Sequence, residues 1–194
     1  MAFFKEISYM KDTKVRIIDD GKIEMTCIDE VKGVTPRMML WYFLNRTKER
    51  YLMWHPTHID FQVLSQPADC GVGSIYYIKE QMEGGPMIET VAEVLEADLD
   101  ETKAVLREKF RQTEFPLMVY HRMEAMPGGT RIFSNLTLGS TNKRQNAQLL
   151  KKTGVMTEKG YKVVFTHVQE EGKNFEKFLP KLFEENADAR WKGK

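Results

Sequence analysis

Six strand-like segments follow one another along the middle of the chain, and this run constrains the fold more than any other feature. The segments are predicted at His58–Leu64, Gly73–Met82, Met87–Ala97, Thr102–Gln112, Leu117–Ala125 and Thr130–Leu138. Short turn signals such as Glu83-Gly84-Gly85-Pro86 and Met126-Pro127-Gly128-Gly129 separate them. Because consecutive strands joined by short loops usually pair side by side, the sequence predicts an antiparallel meander.

A further strand and two helices are predicted before the meander. Lys22–Ile28 alternates apolar and polar residues, which indicates a strand with one buried face. Thr35 and Pro36 suit the N-cap and the first position of a helix. The residues that follow, Met38–Leu44, are apolar nearly all round, so this helix should be largely buried. A second short helix is predicted around Thr47–Leu52.

The last third of the chain returns to helical spacing. Asn142–Leu150 predicts a short polar helix, and Thr157 opens a longer one whose apolar residues continue to Leu182 on one side. Gly172 and Pro180 are expected to bend or interrupt that helix. An antiparallel sheet of about seven strands curved around a long C-terminal helix would leave a cavity between them. This α+β arrangement resembles the helix-grip fold of the START and pollen-allergen superfamily, which is known for hydrophobic ligand pockets.

Length and composition predict one domain over residues 1–194, with a core at about 20–186. The 29 Lys and Arg residues balance 28 Asp and Glu residues, which argues against a nucleic-acid partner. No apolar run approaches the roughly 20 residues that span a bilayer, and the N-terminus lacks a signal-peptide pattern. We therefore expect a cytoplasmic protein without a membrane partner. A monomer and a homodimer both remain open, and no disulfide is expected from Cys27 and Cys70.

His167 and Glu171 form the first candidate for chemistry. Residues four apart project from one face of a helix, so the imidazole and the carboxylate can converge on one ion. This ligand pair suits zinc and similar divalent metals. The pair lies among apolar residues, where a glutamate seldom stays without a partner. The alternative is an ordinary stabilising contact on a helix face, and the pair alone favours that alternative.

The segment around Trp54-His55-Pro56 supplies two further imidazoles. Pro56 favours an extended backbone at His55, which would hold that ring in a fixed direction. His58 and Asp60 are two apart in a predicted strand and should share a face. A turn that packs at the corner between helix and strand is the alternative interpretation.

Strand residues supply the remaining candidates. Glu80 shares a predicted face with Tyr76 and Ile78, and an inward carboxylate needs a cation or a hydrogen-bond donor. Glu89 is a weaker candidate by the same reasoning. His121 is either a hydrogen-bonded core histidine or, beside a metal site, a proton donor or substrate-orienting group.

Several short motifs occur in a recognisable order. They are Trp54-His55-Pro56, Glu80 ahead of Glu83-Gly84-Gly85, His121, the Gly128-Gly129-Thr130 turn, and His167-x-x-x-Glu171 followed by Phe178-Leu179-Pro180. Together they resemble the diacetylphloroglucinol hydrolase family over about residues 34–185. The resemblance implies a helix-grip core and a zinc ion held by two histidines and two glutamates. It also implies hydrolysis of the carbon–carbon bond between an acyl group and an aromatic ring.

The resemblance assigns the metal ligands by position as His55, Glu80, His167 and Glu171. The second histidine of the family motif stands slightly later than His58 does here, so His58 remains the alternate to His55. Glu89 remains the alternate to Glu80. The residues expected to act on or bind the substrate are His121, His58, Tyr76, Tyr120, Phe133 and Asp60.

The sequence therefore predicts a hydrolase dependent on zinc or another divalent metal, acting on an acylated phenolic or polyketide-like small molecule. Two alternatives with the same fold stay open. One is a non-catalytic protein that binds a small hydrophobic or aromatic ligand, and the other is a metal-free polyketide cyclase.

Overall fold

The computed structural model describes residues 6–85, 87–111 and 116–192. These residues form one antiparallel sheet of nine strands. The strands are β1 Glu6–Ile7, β2 Thr13–Ile17, β3 Ile23–Lys32, β4 His58–Ser65, β5 Ile75–Gln81, β6 Met87–Leu99, β7 Lys103–Arg111, β8 Leu117–Met126 and β9 Gly129–Leu138. Their order across the sheet is β1-β2-β3-β9-β8-β7-β6-β5-β4. Pro86 and Gln112, which belong to the predicted turn and strand, lie outside the described residues.

The predicted meander is confirmed, since β4 to β9 pair consecutively and antiparallel. The last strand of the meander, β9, also pairs along its length with β3, from Ile23↔Leu138 to Lys32↔Gly129. The sheet is two strands larger than expected, because β1 and β2 extend it beyond β3.

Five α-helices and a short 3-10 helix at Asp19–Gly21 complete the described chain. The α-helices are α1 Pro36–Leu44, α2 Lys48–Trp54, α3 Lys143–Thr153, α4 Glu158–Asn186 and α5 Ala189–Lys192. The predicted helix start at Thr35 is confirmed, since its side chain accepts a hydrogen bond from the backbone N–H of Met38. Thr47 and Thr157 cap α2 and α4 in the same way.

Helix α4 is continuous over 29 residues, so Gly172 and Pro180, where a bend or an interruption was predicted, do not interrupt it. A proline inside a helix costs about 3 kcal/mol. The apolar face of α4 offsets that cost, because its buried side chains extend from Tyr161 to Phe183 on both sides of Pro180. Each such side chain contributes about 1.5–3 kcal/mol when fully buried.

The helices cover one face of the sheet in two packed regions. In the larger region, α1, α2 and the second half of α4 pack with the inward residues of β4 to β9. In the smaller region, the start of α4 and the end of α3 pack with β2 and β3. A cavity lies between α4 and the sheet. Residues that belong to the two packed regions, or that lie next to them, form its wall. Among the described residues, no helix is long and apolar enough to cross a membrane.

Candidate metal centre and ligand cavity

Four side chains from three elements converge at the wall of the cavity. They are His58 at the start of β4, Glu80 near the end of β5, and His167 and Glu171 on α4. One ligand atom from each lies within 4.8 Å of all the others. The four nitrogen–oxygen distances are 3.1 and 3.5 Å from His58 Nε2 to Glu171 Oε1 and Glu80 Oε2, and 3.6 and 4.0 Å from His167 Nε2 to the same two atoms.

Local structure explains why these side chains meet. His58 and Glu80 are direct partners across β4 and β5, so they project on the same face of the sheet. His167 and Glu171 are one helical turn apart, as the sequence predicts. The two pairs meet because α4 packs over the sheet at this point.

The orientation of His58 is fixed by Tyr51, a residue that no sequence motif indicated. His58 Nδ1 donates to the carbonyl oxygen of Tyr51 at 2.8 Å, which directs Nε2 at the two carboxylates. The two rings also stack, with centroids 4.0 Å apart and planes 8° from parallel. Burial lowers the pKa of His58, but hydrogen bonding with Glu171 and the nearby carboxylates outweigh burial and raise it.

The two carboxyl groups have different environments. Burial raises the pKa of Glu80, and the negative charge of Glu171 adds to that effect. The hydroxyl of Tyr51 donates to Glu80 Oε2 at 2.7 Å. Burial also acts on Glu171, but the hydrogen bond with His58 and the adjacent imidazoles together hold the pKa of Glu171 below its ordinary value. Glu171 is therefore the more easily ionised carboxyl of the site, and Glu80 is the more basic one.

The donor set fits a divalent metal such as zinc. Two imidazole nitrogens and two carboxylate oxygens around zinc, with bonds of about 2.0–2.1 Å, would stand about 3.3 Å apart. The four nitrogen–oxygen distances differ from this spacing by less than an ångström. Among the described residues, His167 Nδ1 is buried without a hydrogen-bond partner, and its Nε2 is too far from either carboxylate for a hydrogen bond. A cation between the four side chains would give Nε2 of this buried imidazole a partner, and Nδ1 would stay unpaired among the described residues.

His55 lies beside the cluster rather than in it. Its ring centroid is 4.5 Å from that of His167, but its two nitrogens face other groups. Nδ1 is 2.7 Å from Thr57 Oγ1, and Nε2 is 3.2 Å from Glu170 Oε2. Burial lowers the pKa of His55, and the neighbouring His167 lowers it further. His58, which the sequence analysis gave as the alternate metal ligand, therefore lies in the cluster where the motif placed His55.

Two of the predicted substrate-binding residues, Tyr120 and Phe133, do not line the cavity. Successive residues of a strand face opposite sides of the sheet. His121 and Ser134 face inward as cross-strand partners, so Tyr120 and Phe133 face outward. There they pack beneath the guanidinium groups of Arg107 and Arg122, respectively.

Three further candidates are also placed elsewhere. Tyr76 is fully buried in the core, and its hydroxyl donates to a backbone carbonyl of α1. A β-bulge after His58 turns Asp60 away from the cavity and toward Lys48 at 2.8 Å. Glu89 is exposed and pairs with Lys79 at 3.2 Å.

The cavity has a volume of about 140 Å³. Its wall contains Glu80, His167 and Glu171 of the four-residue cluster, and much of the rest is aromatic or aliphatic, including Phe43 and Phe175. A cavity of about 150 Å³ lined by apolar side chains is known to hold one benzene molecule. The space therefore matches a single aromatic ring beside the four-residue cluster.

His121 faces this cavity, as expected of a group that contacts a ligand. Its Nδ1 is 2.9 Å from Ser134 Oγ, and its ring stacks on Phe43 with centroids 5.4 Å apart. Burial lowers the pKa of His121, so the imidazole is neutral at neutral pH.

The cavity wall also contains a buried ion pair that the sequence did not predict. Arg46 Nη2 donates to Glu108 Oε1 at 2.6 Å, and both side chains are less than 5% exposed. Arg46 also lies over the rings of Phe43 and Tyr76. The two partners are 62 positions apart, and no local pattern links them.

No protein-family model matches the sequence, and no curated protein matches it. Solved structures do match in fold. A START superfamily protein from Mycobacterium smegmatis aligns with a TM-score of 0.56 at 12% identity, over 82% of this chain and 98% of that one. Major latex-like protein 151 from Panax ginseng gives a TM-score of 0.58 at 9% identity, over 81% and 97%.

A third match is the di-domain ARO/CYC BexL from the BE-7585A biosynthetic pathway, with a TM-score of 0.52 at 10% identity, over 80% of this chain and 50% of that one. At such low identity these likenesses establish the fold alone. The chain has a START-like helix-grip fold, and the predicted α+β class is confirmed. The sheet differs from the prediction in its strand count, because the described residues form nine strands and about seven were expected.

Proposed function

We propose that this chain is a metal-dependent hydrolase, with zinc as the favoured ion, that removes an acyl group from an aromatic ring held in the cavity. The observation that carries the proposal is the convergence of His58, Glu80, His167 and Glu171, with ligand atoms within 4.8 Å of one another. A two-histidine, two-glutamate set is what the resemblance to the diacetylphloroglucinol hydrolase family implies. His58 takes the place of the first histidine.

The charge balance of the site supports a bound cation. Glu80 and Glu171 have side chains only 15% exposed, and among the described residues no Lys or Arg forms an ion pair with either. Buried carboxylates are costly unless positive charge compensates them. With both imidazoles neutral, two carboxylates would balance one divalent ion.

The residues around the site have separable roles in this reaction. A bound zinc ion would lower the pKa of a water molecule or polarise a carbonyl oxygen. Tyr51 holds both His58 and Glu80 in position through its carbonyl and its hydroxyl. The apolar wall orients the ring and excludes bulk water.

Proton transfer to the ring is assigned to His121. Water adds to the acyl carbonyl carbon, and the carbon–carbon bond to the ring then breaks with its electron pair left on the ring carbon. His121, neutral at the start, takes a proton from the water as it adds and then gives a proton to the ring carbon, so an acylated phenol and water give a carboxylic acid and a phenol. His121 suits this role because one ring nitrogen is held by Ser134 and the ring lines the cavity.

A metal-free protein of the same fold is the second candidate, either a ligand carrier or a polyketide cyclase. The observation in its favour is the 3.1 Å approach of His58 Nε2 to Glu171 Oε1, because an imidazolium–carboxylate pair would hold the cluster together without a metal. The fold likeness to the ARO/CYC protein BexL is consistent with this candidate.

Metal analysis of protein made without a histidine tag distinguishes the candidates. We expect one zinc ion per chain, and Glu171→Gln should bind zinc at least about 100-fold more weakly because it removes a charged ligand. Glu89→Gln is the matched control, since Glu89 is an exposed strand glutamate outside the cluster. If the untagged protein takes up no stoichiometric metal but still binds phenols, the metal-free candidate replaces this one.

Activity is tested next on a panel of acylated phenols, by following release of the free carboxylic acid. We expect release that depends on zinc and is lost in Glu171→Gln. A panel that stays unhydrolysed by the zinc-loaded protein would leave a metal-binding carrier and contradict the hydrolase.

A further inference from the structure

A second pocket adjoins the cavity at the end where α4 begins. This pocket, called the outer chamber below, has a volume of about 420 Å³. Its wall is formed by the turn between β5 and β6, the neighbouring ends of β8 and β9, and the first turns of α4. Lys159 is the only charged side chain among its described lining residues, and most of the others are apolar, such as Leu138, Val155 and Val164.

The outer chamber shares part of its wall with the cavity beside the four-residue cluster, which is called the inner cavity below. Met82, Ile88, Leu117 and Leu136 line both spaces, so these four side chains stand between them. All four are half-buried, and none carries a charge. Methionine adapts its shape readily to a neighbouring group, which suits a boundary that a ligand crosses.

The absence of a side chain at Gly85 shapes the wall of the outer chamber. A Cβ atom at this position would lie 2.6 Å from Val163 Cγ1, which is closer than real atoms approach. Glycine therefore lets the turn after β5 lie directly against α4. The close approach holds the two sides of the outer chamber together at that point.

We propose that the outer chamber is a second subsite, and that it takes an uncharged alkyl or acyl chain of the same ligand whose ring occupies the inner cavity. This inference rests on the proposed function only in taking a phenolic ring as the head group. The inner cavity matches one ring, so a long substituent has no room there. The outer chamber has three times the volume and an apolar wall that gains by being removed from water.

A series of 4-alkylphenols from ethyl to octyl tests the proposal by calorimetry on the metal-free protein. Affinity should rise about fourfold with each added methylene until the outer chamber is full. Val164→Phe fills the chamber, so its affinities should level off at a shorter chain than in the unchanged protein. Val164→Ala enlarges it and should move that point to a longer chain. Phenol itself should bind equally to all three proteins.

Affinity that does not grow beyond the ethyl compound, or the same chain-length profile in both variants, would overturn the second subsite. If Val164→Phe does not fold, the unchanged protein and Val164→Ala still decide the question. Because the titration uses metal-free protein, a failure of zinc binding leaves this result standing. Conversely, a flat series with zinc bound at the cluster would remove the subsite and leave the hydrolase proposal intact.

Discussion

Tyr51→Phe is expected to weaken zinc binding although Tyr51 is not itself a ligand. The substitution removes one hydroxyl, which donates to Glu80 Oε2 at 2.7 Å. It keeps the ring that stacks on His58 and the backbone carbonyl that accepts from His58 Nδ1. Tyr51→Phe therefore abolishes the hydrogen bond that orients the Glu80 carboxylate and leaves the support of His58 in place.

The size of the effect follows from the role of that hydrogen bond. Partners that orient a metal ligand typically contribute 10- to 100-fold in metal affinity, which corresponds to about 1.4–2.8 kcal/mol. Glu80 has no other described hydrogen-bond donor apart from the two imidazoles, whose nitrogens lie 3.5 and 4.0 Å away. We therefore expect zinc affinity to fall roughly 30-fold, near the middle of that range.

Competition with a fluorescent zinc chelator measures this decrease directly on metal-free protein. Tyr76→Phe is the matched control, because Tyr76 is an equally buried tyrosine whose hydroxyl donates to a backbone carbonyl away from the cluster. Its zinc affinity should stay within about twofold of the unchanged protein. Equal affinities in Tyr51→Phe and the unchanged protein would refute the reasoning, as would equal decreases in both variants.

Three other perturbations have clear expected results. Glu108→Gln should lower the free energy of unfolding in urea by about 3–5 kcal/mol, because it leaves the buried Arg46 without its counter-charge. Glu96→Gln, in an exposed ion pair, should cost less than about 1 kcal/mol, and equal costs would contradict the assignment. His121→Asn should reduce kcat by about 100-fold or more in acid-release assays while zinc affinity is unchanged, and a parallel fall in zinc affinity would place His121 in the metal site instead. Chelation of zinc present at about 100 times its Kd should lower Tm by about 5–10 °C in calorimetry, and an unchanged Tm would argue against a bound ion.

Much of the fold is predictable because the relevant signals are local. The turn sequences delimit β4 to β9, and the Thr35-Pro36 pair marks the start of α1. Strand β1 is only two residues long, and β2 alternates over just five, so neither has a pattern that stands out before the sheet forms. The continuity of α4 through Pro180 depends on tertiary burial, which outweighs the local preference of proline.

The site is predictable only in part, because its composition depends on contacts between distant residues. His167 and Glu171 are found from helical spacing, and Glu80 from its place on a strand. The choice between His55 and His58 is set by Tyr51 and by the packing of α4, which local sequence does not encode. Strand alternation alone could have excluded Tyr120 from the cavity once His121 was placed inside.

The central claim is that His58, Glu80, His167 and Glu171 hold a metal ion. Zinc titration of His58→Ala beside His55→Ala tests it most directly, since the two rings lie only 5.6 Å apart and share the same buried corner. The geometry predicts that zinc affinity falls at least about 100-fold in His58→Ala, whereas His55→Ala stays within about threefold of the unchanged protein. Equal affinity in both variants, or a larger decrease in His55→Ala, would contradict it.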